Sequence, residues 1–399
     1  MSHTVDSSET KKMFIGKTAG TAAVIEIECD STIARVDELI RPSDVREFLA
    51  PGFIDIQVNG FAGVDYNDPA ASCESIAESV RVLFQTGVTR FFPTIITGSQ
   101  ERIIAAVRNL TAAKSEFMRN AMPEGQAIQA FHIEGPHLSP ETGPRGAHPL
   151  QHIRAPSFEE FQRWQDAADG NVRLVTISPE WQETPSYVRR VIRAGVVVSI
   201  GHTNATVEQI QAAVDAGATM STHLGNAAHA MLPKTQNYIW EQLAEDRLAA
   251  SFIVDGIHIP GAFFRAAVRA KGVERTILVT DAVMPAMCQP GPYKLGEVDV
   301  ELHPDGSVMM RGETRLAGSA LCMDRAIGNA VRFGRISLRD AIVMATVNPA
   351  RVARIAGRQR GLSPGEKADL VRFRFDEASS SLQVVQTVVA GTTVYSRRN

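Results

Sequence analysis

A (β/α)8 barrel (TIM barrel) flanked by a small β-sandwich is the α/β fold this sequence predicts, and three observations predict it. Short β-branched runs alternate with helical stretches through the middle of the chain, the pattern of a parallel sheet with crossover helices. Eight such runs occur in succession, the number that closes a barrel. Strand-like segments outside that alternation stand at both ends, each too small to fold alone. At 399 residues the chain has room for one large barrel and an accessory module.

Residues 1–50 should supply the first part of the sandwich. They open with MSHTVDSSETKK, which lacks the apolar core of a signal peptide, and continue in short runs such as Ala22–Glu28. The barrel is expected over residues 51–358. Its strands read as Phe53–Val58, Arg90–Ile96, Ala130–Glu134, Val172–Ser178, Val196–Gly201, Thr219–His223, Ala249–Asp255 and Thr276–Asp281. Helices fall between them, among them Cys73–Gln85, Gln100–Phe117, Pro185–Ala194, Val207–Ala216 and Pro260–Lys271. Gly87, Gly195, Gly217 and Gly272 each follow a helix and precede a strand, where a left-handed cap is wanted. Residues 359–399 return to strand patterns at Leu370–Phe375 and Leu382–Val389, so the two flanks should pair into one sandwich.

Composition narrows the function. With 44% hydrophobic and 21% charged residues and a formal net charge of −3, the chain has no general affinity for nucleic acid or an anionic membrane. Any anion must be recognised by a local pocket. No apolar run is long enough to span a bilayer. Cys29, Cys73, Cys288 and Cys322 lie far apart without a Cys-x-x-Cys pair, and read as buried thiols of a reducing cytoplasm.

A barrel carries its chemistry at the carboxyl ends of its strands. There the third strand offers His132-Ile133-Glu134, the fifth Gly201-His202-Thr203 and the sixth Thr222-His223-Leu224. The seventh runs into Asp255-Gly256-Ile257-His258 and the eighth into Thr280-Asp281-Ala282. A lone strand histidine is usually a hydrogen-bonded core residue. That bland reading does not explain two histidines and a glutamate at three strand ends, followed by an aspartate at the eighth.

Glu134, His202 and His223 make a carboxylate–imidazole set suited to Zn²⁺ or a similar divalent ion, with a position left for water. Such an ion lowers the water's pKa toward about 7. Asp281 is placed to take the proton and return it to a leaving nitrogen, as amide hydrolysis requires. His132 shares a face with Glu134 one pleat deeper, so it should support a ligand by a hydrogen bond and not bind the metal itself. Gln57 and Asn59 end the first strand with neutral amides, which are weak metal ligands, and the fourth strand has no lysine to bridge two ions. One ion per chain follows.

At this point the motifs resemble those of the N-acetylglucosamine-6-phosphate deacetylases of the amidohydrolase superfamily. The resemblance rests on Pro51-Gly52-Phe53-Ile54-Asp55-Ile56-Gln57-Val58-Asn59-Gly60, His132-Ile133-Glu134-Gly135-Pro136, Gly201-His202-Thr203, Thr222-His223-Leu224-Gly225-Asn226-Ala227, Asp255-Gly256-Ile257-His258, Val279-Thr280-Asp281-Ala282 and Leu316-Ala317-Gly318-Ser319. It implies hydrolysis of the N-acetyl amide of N-acetylglucosamine 6-phosphate to glucosamine 6-phosphate and acetate, in a homodimer or higher oligomer. It also implies one divalent ion per chain, zinc foremost, with Fe²⁺, Co²⁺ or Mn²⁺ as alternatives. Metal ligation is carried onto Glu134, His202 and His223, and the acid/base role onto Asp281. Substrate contacts are carried onto Ala147, His148, Asn226, Ala227, His258, Leu316, Ala317 and Gly318.

One departure stands out. The family follows its sixth strand with a run whose arginine reaches the substrate phosphate. Here Asn226-Ala227-Ala228-His229-Ala230-Met231 leads into Leu232-Pro233-Lys234-Thr235-Gln236-Asn237-Tyr238, with two residues inserted and no arginine. Lys234 is the only firm positive charge in that run. A deacetylase of a related amino sugar (unphosphorylated, a galacto epimer or a conjugate) is therefore the alternative. A metal-free homologue that has kept the barrel as a binding module is the reading from a different class.

Overall fold

The computed structural model describes residues 11–40, 44–296 and 298–398; residues 1–10 of the polar opening segment lie outside them. Eight parallel strands form one sheet in ring order. They are Phe53–Val58, Val88–Ile96, Phe131–Glu134, Val172–Ile177, Val197–Ile200, Met220–Ser221, Ala249–Ile253 and Thr276–Val279, called barrel strands one to eight below. A parallel bridge from Val58 to Ala282 closes the ring between strands one and eight. The barrel with its flanking sandwich is thus the fold expected.

Local sequence explains the elements. Strand one, FIDIQV, is buried at all six positions, as a strand covered by helices outside and packed side chains inside must be. The helix Cys73–Phe84 starts at Ser72, whose side chain accepts from the Ser75 N–H, and it buries Ile76, Ala77, Val80, Leu83 and Phe84 along one stripe. Thr206 and Gln209 form a reciprocal capping box at the start of Val207–Asp215. Gly87, Gly195, Gly217 and Gly272 have φ of 82°, 81°, 116° and 73°, the left-handed turns anticipated between helix and strand.

Both flanks join one seven-stranded sheet. Its central strand Phe48–Pro51 pairs antiparallel with Leu370–Asp376, and only Gly52 separates Pro51 from barrel strand one. This module has its own small core, which includes Phe14, Ile27, Leu49, Leu370 and Val388. A buried charge cluster ties it to the barrel. Asp369 accepts from Arg90 at 2.7 and 3.0 Å, from Arg358, and from the Ala390 N–H at 2.7 Å.

Three expectations need correction. The segment after strand eight, in which no strand is expected and whose Leu316–Gly318 reads from sequence as loop, folds into an antiparallel four-stranded sheet: Gly291–Leu295, Val298–Leu302, Ser307–Met310 and Leu316–Ser319. These strands have four or five residues and are partly exposed, so they lack the continuous apolar signal of the barrel strands. Several barrel strands also stop short of their expected ends. Strand six ends at Ser221 and strand eight at Val279, because His223 and Asp281 have left the extended region. Finally, all four cysteines are free, but only Cys29 and Cys322 are buried; Cys73 and Cys288 are half-buried. Among the described residues no helix is long and apolar enough to cross a membrane.

Candidate metal and substrate site

The backbone turns sharply where the chemistry is presented. His202, His223, Ala227 and Asp281 have φ of 49°, 28°, 45° and 50°, a backbone conformation that residues other than glycine rarely adopt. Such local strain persists only where the surrounding structure holds it, and it clusters at functional sites. For His202, His223 and Asp281 the turn comes two residues past a strand end, at the mouth of the barrel, and Ala227 follows in the loop after strand six.

Glu134, His202 and His223 meet there, all three buried. Glu134 Oε1 lies 2.8 Å from His223 Nε2 and 3.2 Å from His202 Nε2. The two imidazole Nε2 atoms are themselves 3.2 Å apart. Nitrogen lone pairs turned on each other and on a carboxylate at this distance suit a shared cation. The Nδ1 of His202 lies 2.9 Å from the Pro144 carbonyl; donating there leaves Nε2 as the ligating atom. Burial by itself would raise the Glu134 carboxyl, but hydrogen bonds from His202 and His223 outweigh it and hold the group well below the ordinary range. The residues present therefore fit a single divalent ion.

Asp281 faces this set. Its Oδ1 accepts from Asn59 Nδ2 at 2.6 Å and from Gln57 Nε2 at 3.1 Å. Burial and then the charge of Glu134 push its carboxyl up to about 6. Gln57 and Asn59, read from sequence only as poor ligands, are thus the clamp that orients the aspartate. One layer down, Asp55 accepts from Thr280 Oγ1 at 2.6 Å and joins the ends of strands one and eight beneath Asp281.

His132 departs from its expected partner. It does not bond Glu134, because two residues of extended chain separate the groups too far along the strand. Its Nε2 instead pairs with Thr176 Oγ1 at 2.7 Å, and Thr176 pairs with Thr222 at 2.7 Å. Burial lowers its imidazole to about 4, so the ring is neutral.

All eight expected substrate residues, Ala147, His148, Asn226, Ala227, His258, Leu316, Ala317 and Gly318, line one cavity of about 640 Å³ together with the four residues above. His148 is buried: its Nδ1 lies 2.8 Å from Thr97 Oγ1, and its ring stands edge-on to His202 with centroids 4.4 Å apart. Asp255 fixes His258 through Nδ1 at 2.6 Å and through two backbone N–H groups at 2.8 Å. Sequence reasoning missed Thr97, Arg102, Arg145 and Arg315, which also line the cavity. Thr97 and Arg145 were within reach, one directly after strand two and the other two residues before Ala147. Lys234 is exposed and is not among the lining residues.

The amidohydrolase family model matches residues 48–394. The chain belongs to the amidohydrolase family. Among curated members, the N-acetylglucosamine-6-phosphate deacetylase of Lysinibacillus sphaericus is 32% identical over 370 residues, covering 91% of each chain. The N-acetylgalactosamine-6-phosphate deacetylase of Shewanella sp. (strain ANA-3) is 34% identical, covering 87% of this chain and 83% of that one. Among solved members, a mutant N-acetyl-D-glucosamine-6-phosphate deacetylase from Mycobacterium smegmatis, in complex with N-acetyl-D-glucosamine-6-phosphate, superposes with a TM-score of 0.84. It is 29% identical, over 97% of this chain and 100% of that one. The family match spans the whole barrel and both strands that join it to the sandwich, so this amidohydrolase is alike throughout and not only at the site.

Proposed function

We propose that the protein hydrolyses the N-acetyl amide of N-acetylglucosamine 6-phosphate to glucosamine 6-phosphate and acetate. The observation that carries this reading is the convergence of Glu134, His202 and His223 opposite an aspartate clamped by Gln57 and Asn59. One divalent ion, zinc in this proposal, is held by those three side chains and supplies Lewis acidity toward water and the amide carbonyl. Asp281 takes a proton from the attacking water and hands it to the amide nitrogen as the carbon–nitrogen bond breaks, so the amine leaves neutral. Gln57 and Asn59 keep the carboxylate aimed during both transfers. His148 and His258, each fixed through Nδ1 by Thr97 and Asp255, offer Nε2 to the substrate. Asn226, Ala227 and the Leu316–Gly318 strand border the sugar.

The proposal includes a cytoplasmic homodimer as the working form, which light scattering of the purified protein tests. A second reading, the galacto epimer as substrate, is favoured by the Shewanella relative, whose identity to this chain matches that of the glucosamine enzymes. Acetate release decides between them. A panel of N-acetylated gluco and galacto sugars, with and without 6-phosphate, should show fastest turnover on N-acetylglucosamine 6-phosphate. An unphosphorylated sugar with an equal or better kcat/KM would move the assignment to the related amino-sugar deacetylases.

A further inference from the structure

A sugar phosphate needs a fixed cation at the end remote from its amide, and arginine suits it because the guanidinium fork can bind phosphate through two hydrogen bonds. Among the described residues three arginines line the cavity: Arg102, Arg145 and Arg315. Arg102 belongs to the helix Gln100–Arg119 after strand two, four places around the ring from strand six and hence across the mouth from Asn226 and Ala227. Arg315 is already engaged. Its Nε and Nη2 bind Glu313 at 3.0 and 2.7 Å, and its Nη1 donates to the Gly146 carbonyl at 3.3 Å.

Arg145 differs from both. Its Nη1 donates to the His148 carbonyl at 3.1 Å, while its Nε is buried with no hydrogen-bond partner among the described residues. Its loop is wedged between the metal site and the segment after strand six. A Cβ at Gly146 would lie 3.2 Å from His202 Cε1 and 3.6 Å from Ala227 Cβ, and one at Gly143 would lie 3.1 Å from the Ala228 carbonyl. The loop that carries Arg145 thus packs against Ala227 and Ala228, and Arg145 lines the cavity with Asn226 and Ala227, whereas Lys234 does not.

The geometry points to Arg145 as the residue that pairs with the substrate's phosphate, from the same chain that holds the metal ligands. This rests on the deacetylase reading and deepens it, since it assigns phosphate specificity to the loop after strand three. The metal-loaded full chain tests it through the ratio of kcat/KM for N-acetylglucosamine 6-phosphate to that for N-acetylglucosamine. Arg145→Ala should lower the ratio roughly 10- to 100-fold through KM, with Arg145→Lys intermediate, as loss of a hydrogen bond to a charged group predicts. Lys234→Ala should leave the ratio alone. Equal losses on both sugars, which would mark Arg145 as a loop support acting through His148, overturn the assignment. So does an unchanged ratio, or a preference lost with Lys234→Ala instead. A calorimetric titration with glucosamine 6-phosphate and glucosamine runs alongside. Acetate release from neither sugar nor its galacto epimer defeats the deacetylase reading, and the titration alone then judges Arg145: weaker binding of the phosphate ester only in Arg145→Ala supports it, and equal binding overturns it.

Discussion

Asp281 is buried beside a carboxylate, yet the proposed chemistry requires it ionised. The burial and the Glu134 charge that raise it to about 6 are opposed by His223, by His258 and by the Asn59 hydrogen bond, and a cation bound by the neighbouring ligands would draw it lower still. An ionised base is lost as pH falls, so kcat/KM of the metal-loaded enzyme should decline along an acid limb whose midpoint lies below about 6. Asn59→Leu removes a donor that favours the carboxylate, raises its pKa, and should move that acid limb to higher pH while metal content stays at wild-type level. A limb that does not move would free Asn59 from the role. Asp281→Asn should keep the metal and lose on the order of 10²–10⁴-fold in kcat, the range of general acid–base catalysis; near-normal turnover would remove Asp281 from the mechanism. At this scale the sequence was a good guide to identity and a poor one to partnership. Glu134, His202, His223 and Asp281 announce themselves by standing at strand ends. That Gln57 and Asn59 serve Asp281 depends on closure of the ring between strands one and eight, a contact between residues 222 or more positions apart.

Strands and helices were legible where a single pattern covered them. Barrel strands buried on both faces, and helices with one apolar stripe, carry their assignment in every residue. The four short strands from Gly291 to Ser319 do not, since each has only four or five residues and is incompletely buried. Strand ends were overrun because left-handed geometry at a histidine or an aspartate leaves no mark in hydropathy. The join between elements also hides a charge. Asp369, on the approach to the strand Leu370–Asp376, is fully buried among Arg90, Arg358 and the Ala390 N–H. Burial would raise its carboxyl, but Arg358 and Arg90 overcome that and hold it at about 2. The folded pKa lies below the unfolded value of about 3.8, so its contribution is complete above that value and disappears as pH falls through about 2. Asp369→Asn strands two buried guanidinium groups and should cost about 3–5 kcal/mol in a denaturant melt at neutral pH, with a smaller deficit in acid. A variant as stable as wild type would show that backbone pairing alone holds the sandwich to the barrel.

At the scale of the whole molecule, the ligands come from three strands of one ring, so an ion bound by them acts as a cross-link of the barrel mouth. Ligand binding stabilises by mass action, about 4 kcal/mol at a thousandfold excess over Kd. Chelation should therefore lower the Tm, and one equivalent of zinc per chain should restore both Tm and activity. Glu134→Ala, His202→Ala and His223→Ala should lose metal and turnover together; two equivalents at saturation would overturn the mononuclear site. The pairing of the flanks was readable only because neither could fold alone. Its consequence lies in biosynthesis. Phe48–Pro51 leaves the ribosome early, but its antiparallel neighbour follows more than 300 residues later, with Leu49 opposite Arg372. Until Leu370–Asp376 has been made that strand has one side unmatched, a template for the wrong neighbour. The strand Leu370–Asp376 thus completes the module: a nascent chain halted before it can have its barrel strands in place and still expose a sticky edge, the species a chaperone would be expected to hold.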